Sequence, residues 1–577
     1  RQLVVRWWTK RPEGLSELRR FESRCSAQLT GPDVEVADVS LLHFKHELQR
    51  SERQPAWSAH VANNMANAQT EGYARQELIQ TSAMPQRIGR QQYGSGVKVL
   101  GVQQQIDELV AERLRSAKGE LAGATSHEEV FRKLEALLGE LEDSDLSTGL
   151  SRFFASINDV VNQPESVSVR NVAALEASQL ASDIRRHDSR FREMRSQVNE
   201  EVEDLVTDAN RLLQEIAQLN IRIARAEGGG SVQKGAIGLR DQRNAALTQL
   251  SELMVIQTTE QPSGAVTVHS QGEFLVFDAT VRSLDIQKVS DQGLQINQVV
   301  VGETQAPVNT SAGRIGGLVA ARDETLGSVI EQFDGFAKSL MFEFNRVFTS
   351  GQGLEGYTEL ESEHRILNPN AALDSAGLPF EPNGGTFKVV LWNKAEDQQE
   401  THEIVVRLNG LDDDTSLEDL RRQLDEVDGL TAQITNTGRL KLTSDRMGTQ
   451  IGFSDDSSGV LAALGVATFF SGSSAGTIDI AEAVLNSPGK FSSSADGFGR
   501  DSEIALRLAA LADEPLDSQG GRSISETYEH LTVQVTQSAA AATAVTEGAS
   551  TFHNTIESEH LSICLLYTSP SPRDAYV

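Results

Sequence analysis

The sequence predicts a mainly α fold with β-rich insertions: an elongated, multidomain chain with terminal coiled-coil helices, a bundle of long helices and an outer β-rich domain. Three observations carry this. Apolar residues recur at alternating steps of three and four over 172–226 and again over 524–563, the spacing of a helical seam. Between the helical stretches, 254–300 and 366–475 instead alternate apolar and polar residues and are punctuated by Gly, Asn and Asp. The chain has 577 residues but is only 39% hydrophobic and 5% aromatic, which favours elongated helical and β modules over one large core.

The totals also exclude partners. A formal net charge of −30 and a pI near 4.8 argue against nucleic acid and against anionic membranes, both of which need Lys/Arg patches. No run of 18 apolar residues occurs, so no membrane insertion is expected. The two cysteines, Cys25 and Cys564, lie in the outermost segments, so neither a disulfide scaffold nor a Cys-based zinc site is expected between them. No cofactor is implied.

Residues 1–60 differ from the rest. They hold ten Lys/Arg against eight Asp/Glu and three of the four tryptophans, Trp7, Trp8 and Trp57, with poor apolar periodicity over Phe44–Ala56. The composition shift fits translation in another reading frame before about Val61. Residues 564–577 read like translated sequencing-adapter sequence, with a genuine Ser/Pro tail as the alternative, and are set aside from fold reasoning.

The stretch Ala62–Gln76 reads as a helix end followed by a breaker cluster, with Asn63, Asn64, Ala66 and Asn67 before the turn and Thr70, Gly72 and Tyr73 after it. Strands and turns follow to about 110, and a connector segment is expected over 61–115. Gly94-Ser95-Gly96 lacks the third glycine of a phosphate-binding loop. A helical domain with a small β insert is expected over 116–365. Val130, Leu134, Leu137, Leu138 and Leu141 form one helical face, and Phe153, Phe154, Ile157, Val160 and Val161 another, ended by Pro164.

The longest helix has its seam at Leu180, Ile184, Phe191, Met194 and Val198, then Val202, Leu205, Ala209, Leu212, Ile216, Leu219 and Ile223. Two successive four-residue steps at Val198–Val202 mark a stutter. His187 falls on this seam and reads as a partly buried polar residue, since no ligand cluster accompanies it. Leu239–Asn244 opens a helix whose charges read as an ion-paired face at i, i+3 and i+4. Ala265–Val268 and Glu273–Phe277 read as strands. Leu326, Ile330, Phe333, Ala337, Leu340, Phe344 and Val347 form another helical seam.

Over 366–475 an outer β-rich domain is expected, with strands at Thr386–Trp392 and His402–Leu408. Its helix Ser416–Val427 opens on a Ser416/Asp419 capping box, and a hairpin turns at Asn436-Thr437-Gly438. Asp412-Asp413-Asp414 lacks the spacing of a calcium loop and reads as a solvated turn. Residues 476–523 return to the helical domain. A C-terminal heptad helix over 524–563 has Ile524, Tyr528, Leu531, Val535, Ser538, Ala542, Val545, Ala549, Phe552, Ile556 and Ile563 on its seam.

Several of these stretches resemble one family. A-N-N-M-A-N-A-Q-T-E-G-Y at 62–73 is similar to the signature S-x-N-N-x-A-N-x-x-T-x-G-Y of the axial proteins of the bacterial flagellum, with Ala62 in place of Ser. F-F-A-S-I-N-D-V-V-N-Q-P at 153–164 with Arg170, the 239–244 segment and the 524–563 helix extend the resemblance, and the long 172–226 helix points within the family to the hook-associated proteins of the hook–filament junction.

The resemblance implies a structural subunit of the flagellum that joins hook to filament by self-assembly through terminal coiled-coil helices. It implies a homo-oligomer ring and contacts with the flagellar hook protein and a second junction protein. It implies passage through the flagellar export apparatus with a C-terminal export chaperone, and an extracellular location without a cleaved signal peptide. The assembly motif would be Asn63, Asn64, Ala66, Asn67, Thr70, Gly72 and Tyr73. The coiled-coil seam would use Leu205, Leu212, Ile216, Leu219 and Ile223 together with Ile524, Leu531, Val535, Val545, Phe552 and Ile556. With both terminal segments damaged, this exact chain is expected not to assemble.

The alternatives are another rod or hook protein, or a secreted coiled-coil adhesin with a carbohydrate-binding β domain. The adhesin would need exposed aromatics, and Trp392 is the only tryptophan of that region. No zinc-protease, serine-hydrolase or nucleotide-loop motif is present, so an enzyme is not expected.

Overall fold

The computed structural model describes residues 61–565 apart from 68–75, 89–90, 95–96, 105–106, 139–145, 229–234, 309–310 and 412. The expectations for 1–60, for residues 566–577, and for Thr70, Gly72 and Tyr73 of the motif lie outside the described residues. The described chain is mainly helical with small antiparallel sheets.

Helix α1 (Glu108–Leu138) starts where the Asp107 carboxylate accepts the Leu109 and Val110 amides at 3.1 and 3.2 Å. Helix α2 (Leu146–Asn162) ends before Pro164, and Ser166 then caps α3 (Val167–Glu227) by accepting the Val169 amide. At 61 residues α3 is about 90 Å long at 1.5 Å per residue. It carries every α3 seam position named above into the core except the partly buried Met194. Helix α4 (Ile237–Leu253) folds back against it.

An antiparallel meander (Gln257–Glu260, Val266–Ser270, Glu273–Phe277, Thr280–Val281) and a hairpin (Leu284–Asp291 with Leu294–Val301) follow. The hairpin turns at Gln292-Gly293, both at positive φ, and the polar edge of α3 holds it. Asn210 Nδ2 donates to the Leu284 carbonyl and Asn210 Oδ1 accepts the Leu284 amide; about three turns earlier on α3, Asn199 Oδ1 accepts the Asn297 amide, Asn199 Nδ2 donates to the Gln295 carbonyl, and Asn297 Nδ2 donates to the Asn199 carbonyl.

Helix α5 (Gly313–Ala320) runs through a π-helical turn (Ala321–Leu326) into α6 (Gly327–Phe348). The seam from Leu326 onward holds, but periodicity gave no sign of the π turn. Its cause is lateral. The buried Arg195 guanidinium of α3 donates to the Arg322 carbonyl at 3.0 Å, and the Arg322 side chain donates to the Asn297 carbonyl at 2.7 Å. The Arg322 carbonyl thus accepts both the Arg195 guanidinium and the Gly327 amide of the π turn, while the Arg322 side chain reaches outward to the hairpin. Around this line α2, α3, α4, α5 and α6 share one large core with phenylalanines 153, 191, 333, 336 and 344 at its centre.

A second core lies over 357–466. Strand Gly385–Asn393 pairs with Gln398–Val406 on one side and Thr449–Ser454 on the other; strand Leu440–Ser444 lies between Glu359–Glu361 and Leu430–Ile434. Helix α7 (Leu417–Asp425) buries Leu417, Leu420 and Leu424 and carries the complete Ser416/Asp419 capping box. Helix α8 (Glu503–Ala510) and helix α9 (Ile524–Leu565) return to the helical body.

Candidate assembly surfaces

Residues 61–66 form the end of a helix. Its asparagines act on one another and on the strand that follows. Asn64 Nδ2 donates to the Gln76 carbonyl at 3.0 Å, and the Gln76 amide donates to Asn64 Oδ1 at 3.1 Å. One carboxamide thus pairs with a backbone unit as a neighbouring strand would, and fastens the helix end to strand Gln76–Ser82. Asn67 Nδ2 donates back to the Asn63 carbonyl and Oδ1, closing the last turn. Ala66 is exposed. The amides therefore staple backbone to backbone, a role their composition alone does not disclose.

Strand Gln76–Ser82 pairs antiparallel with Val97–Gln104, with an irregularity at Ile79/Gln80. Gln104 is buried and donates through Nε2 to Asp241 of α4, joining this hairpin to the helical body. The charges of α4 are not paired at i, i+3 and i+4 as read above. Arg240 makes a two-pronged contact with Glu227 of α3, 2.8 Å on each prong, and reaches Glu260 at 3.0 Å. Arg243 donates to Asn220 and to the Gly264 carbonyl. Burial pushes Arg243 down to about 10, still charged at neutral pH. Longer-range partners win because both guanidiniums face the core side of α4 and must find acceptors there.

Leu205, Leu212, Ile216, Leu219 and Ile223 are all buried on α3. On α9, Ile524, Leu531, Val535 and Ile556 are buried too, but Val545 is 63% exposed and Phe552 46%. Helix α9 lies antiparallel along α1, as Arg113–Glu559 (3.5 Å) at one end and Glu128–Thr543 (3.3 Å) at the other require. Beyond Val535 the covered line steps to Ala539, Ala542, Thr546, Ala549 and His553 before Ile556. The face turned to α1 is thus offset by one residue from the apolar frame at Val545 and Phe552.

Those two side chains border an open groove of about 700 Å³ between α1, α5 and α9, floored by Gly123, Gly316, Gly317 and Gly548. The floor is thin because two backbones nearly touch: a Cβ on Gly317 would come within 2.1 Å of the Gly123 carbonyl oxygen. Glycines 316 and 317 inside a helical pattern were the available sign, since each weakens a helix by about 1 kcal/mol relative to Ala unless packing requires it.

The remaining candidates resolve as structural groups. His187 is buried between Phe191 and Phe333. Asp414 accepts the Asn409 and Gly410 amides of its own loop, and Asp412 lies outside the described residues. Trp392 is stacked on Phe498 at 4.4 Å. Among the described residues no group of His, Cys, Asp and Glu could hold a metal ion, and no helix is long and apolar enough to cross a membrane.

Residues 131–361 match the family model of the flagellar hook-associated protein FlgK helical domain. Flagellar hook-associated protein 1 of Salmonella typhimurium is 28% identical over 304 residues, 51% of this chain and 54% of that protein; the Escherichia coli K12 protein of the same name is 25% identical over 304 residues, 51% and 55%. The Bacillus subtilis protein of that name is 28% identical over 222 residues, 37% and 43%. The chain thus spans about half the length of the relatives it matches. The solved hook junction protein FlgK of Burkholderia pseudomallei superposes with a TM-score of 0.48 at 16% identity, covering 78% of this chain and all of that one. The matches bear out the resemblance to flagellar hook-associated proteins.

Proposed function

From the match of residues 131–361 to the FlgK helical domain, we propose that this chain is a structural subunit of the bacterial flagellum that joins hook to filament. It works by assembly and not by catalysis. The subunits form a ring through helices, with the hook protein on one side and a second junction protein on the other. The 366–475 region faces outward. Export through the flagellar apparatus, with a chaperone on the C-terminal helix and no cleaved signal peptide, places it outside the cell.

The observation that carries the assembly reading is the division of α9. One line of its residues is covered by α1, while a second apolar line, Val545 and Phe552, borders a groove floored by glycines and also lined by Glu120, His127 and Glu324. A groove floored by glycine admits a helix at close approach, and a neighbouring helix would cover both side chains. The Asn64 staple fixes helical residues 61–66 to strand Gln76–Ser82. The adhesin alternative gains nothing from Trp392, whose ring is stacked on Phe498.

The test is sedimentation of the purified chain, alone and mixed with hook protein, against a Val545→Asp/Phe552→Asp variant. Large species that form with the native sequence and vanish in the variant, with the monomer still folded by circular dichroism, support the reading. Assembly that is indifferent to both aspartates rejects this surface, and no association with hook protein, the outcome expected above if both terminal segments are as written, rejects the junction role for this chain.

A further inference from the structure

We propose that the joint between the helical body and the β-rich region contains a built site for a single structural water, held by Gln352 and Ser492. The chain leaves α6 through 349–357 and returns through 487–494, and the two crossings are paired backbone to backbone: the Gln352 amide donates to the Ser494 carbonyl at 2.8 Å, and the Gln352 carbonyl accepts the Ser493 and Ser494 amides at 3.0 and 3.1 Å. A cavity of about 20 Å³ lies against this pairing, lined among others by Gln352, Ser492, Gly452, Tyr357 and Phe498.

Gln352 is 3% exposed and Ser492 2%. The Gln352 Oε1 and Nε2 and the Ser492 Oγ are buried and have no hydrogen-bond partner among the described residues. Three such atoms on two residues that line one cavity are costly unless something satisfies them.

The size and chemistry select the ligand. One water needs roughly 10–15 Å³ of accessible space and two to four polar partners. A carboxamide supplies one acceptor and a donor, and a hydroxyl supplies either, so a molecule that both donates and accepts completes the set. An ion fits worse, because the nearby charges are engaged elsewhere. The Lys490 ammonium sits over the Tyr357 ring at 4.9 Å, and the Glu355 carboxylate accepts the Ser487 hydroxyl at 2.9 Å. The water would tie the outgoing crossing to the returning one on the side-chain level, as the backbone bonds already do. The site does not depend on the assembly role.

Two measurements on the full chain test it. A crystal structure at a resolution that orders solvent is expected to show one peak at hydrogen-bond distance, about 2.7–3.2 Å, from both Gln352 and Ser492. Denaturant unfolding of Gln352→Met, Ser492→Ala and the double variant is expected to show coupling. Each single change lowers the folding constant about tenfold by stranding the other partners, and the double change lowers it no further than the worse single one. A Gln352 amide found turned onto a protein partner with no solvent peak overturns the site, as do single effects that simply multiply. Should the variants fail to fold, the solvent peak alone decides.

Discussion

Helices α3 and α9 carry the same kind of apolar seam, and the molecule uses them differently. On α3 every named seam residue from Leu205 to Ile223 is buried, because α4, α6 and the β meander and hairpin of the same chain close around it. On α9 the first half packs against α6 and α1; in the second half, among the described residues, α1 covers one line and Val545 and Phe552 are exposed. Periodicity reports that a helix has an apolar face. It does not report whether the chain supplies a cover for that face, since the cover comes from elements remote in sequence.

The largest effect expected from this contrast is at the closed seam. Ile216→Ala should cost about 2–5 kcal/mol, because Ile216 is fully enclosed and its surroundings cannot collapse onto the space left. Chemical denaturation of the purified chain measures it. A loss below 1 kcal/mol would mean that α3 is not the centre of the core.

Next is the crossing below the groove. Gly317→Ala should destabilise the chain by about 1–3 kcal/mol even though alanine is the better helix former, since its methyl would meet the Gly123 backbone. Gly335→Ala, where nothing lies within 4 Å of the added carbon, is the control and should be neutral or stabilising. Equal effects at both glycines would remove the close approach of α1 and α5 from the account.

A smaller effect sharpens the contrast between the helical body and the second core. Burial, and then the nearby Arg439, push His364 down to about 4. The unfolded chain, with an ordinary histidine near 6.5, therefore binds more protons than the folded one between pH 6.5 and 4. Stability from this group is full above pH 6.5 and is lost as pH falls through that window, by about 2 kcal/mol once the roughly 3.4 kcal/mol that the full shift implies is reduced for solvent screening of a partly exposed ring. Burial raises the pKa of the neighbouring Glu363, which acts in the opposite sense by favouring the folded state as pH falls. Comparing the native chain with His364→Gln isolates the histidine: the native chain should show the steeper loss of stability between pH 6.5 and 4, and parallel curves would refute it.

How much of this was legible follows from the range of each interaction. The helices and most strands of the second core were readable because their signals are local: the 3.6-residue period, Pro164, and the Ser416/Asp419 box. The π turn was not, because its cause is Arg195, more than a hundred positions away. Neither were the partners of Arg240, which the spacing assigned within α4 and the fold assigns to Glu227 and Glu260. The motif at 63–67 was readable as a unit, but its work is done on the backbone of Gln76, and a backbone acceptor has no residue type to announce it. On α9 the frame at Val545 and Phe552 was visible as apolar spacing, while the one-residue offset toward Thr546 and His553 depends on how α1 lies against it.

That offset supplies the smallest and most discriminating prediction. Val545→Ala in the isolated chain should change folding stability by less than about 0.5 kcal/mol, because a side chain 63% exposed loses little on truncation. The same change at Val535, buried on the same helix, should cost about 2 kcal/mol. If the two substitutions cost the same, α9 is covered along its whole length within one chain, and no apolar line is left for a neighbour. If they differ as expected, the residual seam is a surface whose free energy is realised only on contact. Val545→Ala should then weaken assembly while leaving the monomer's unfolding curve where it was, a separation that a purely intrachain seam cannot produce.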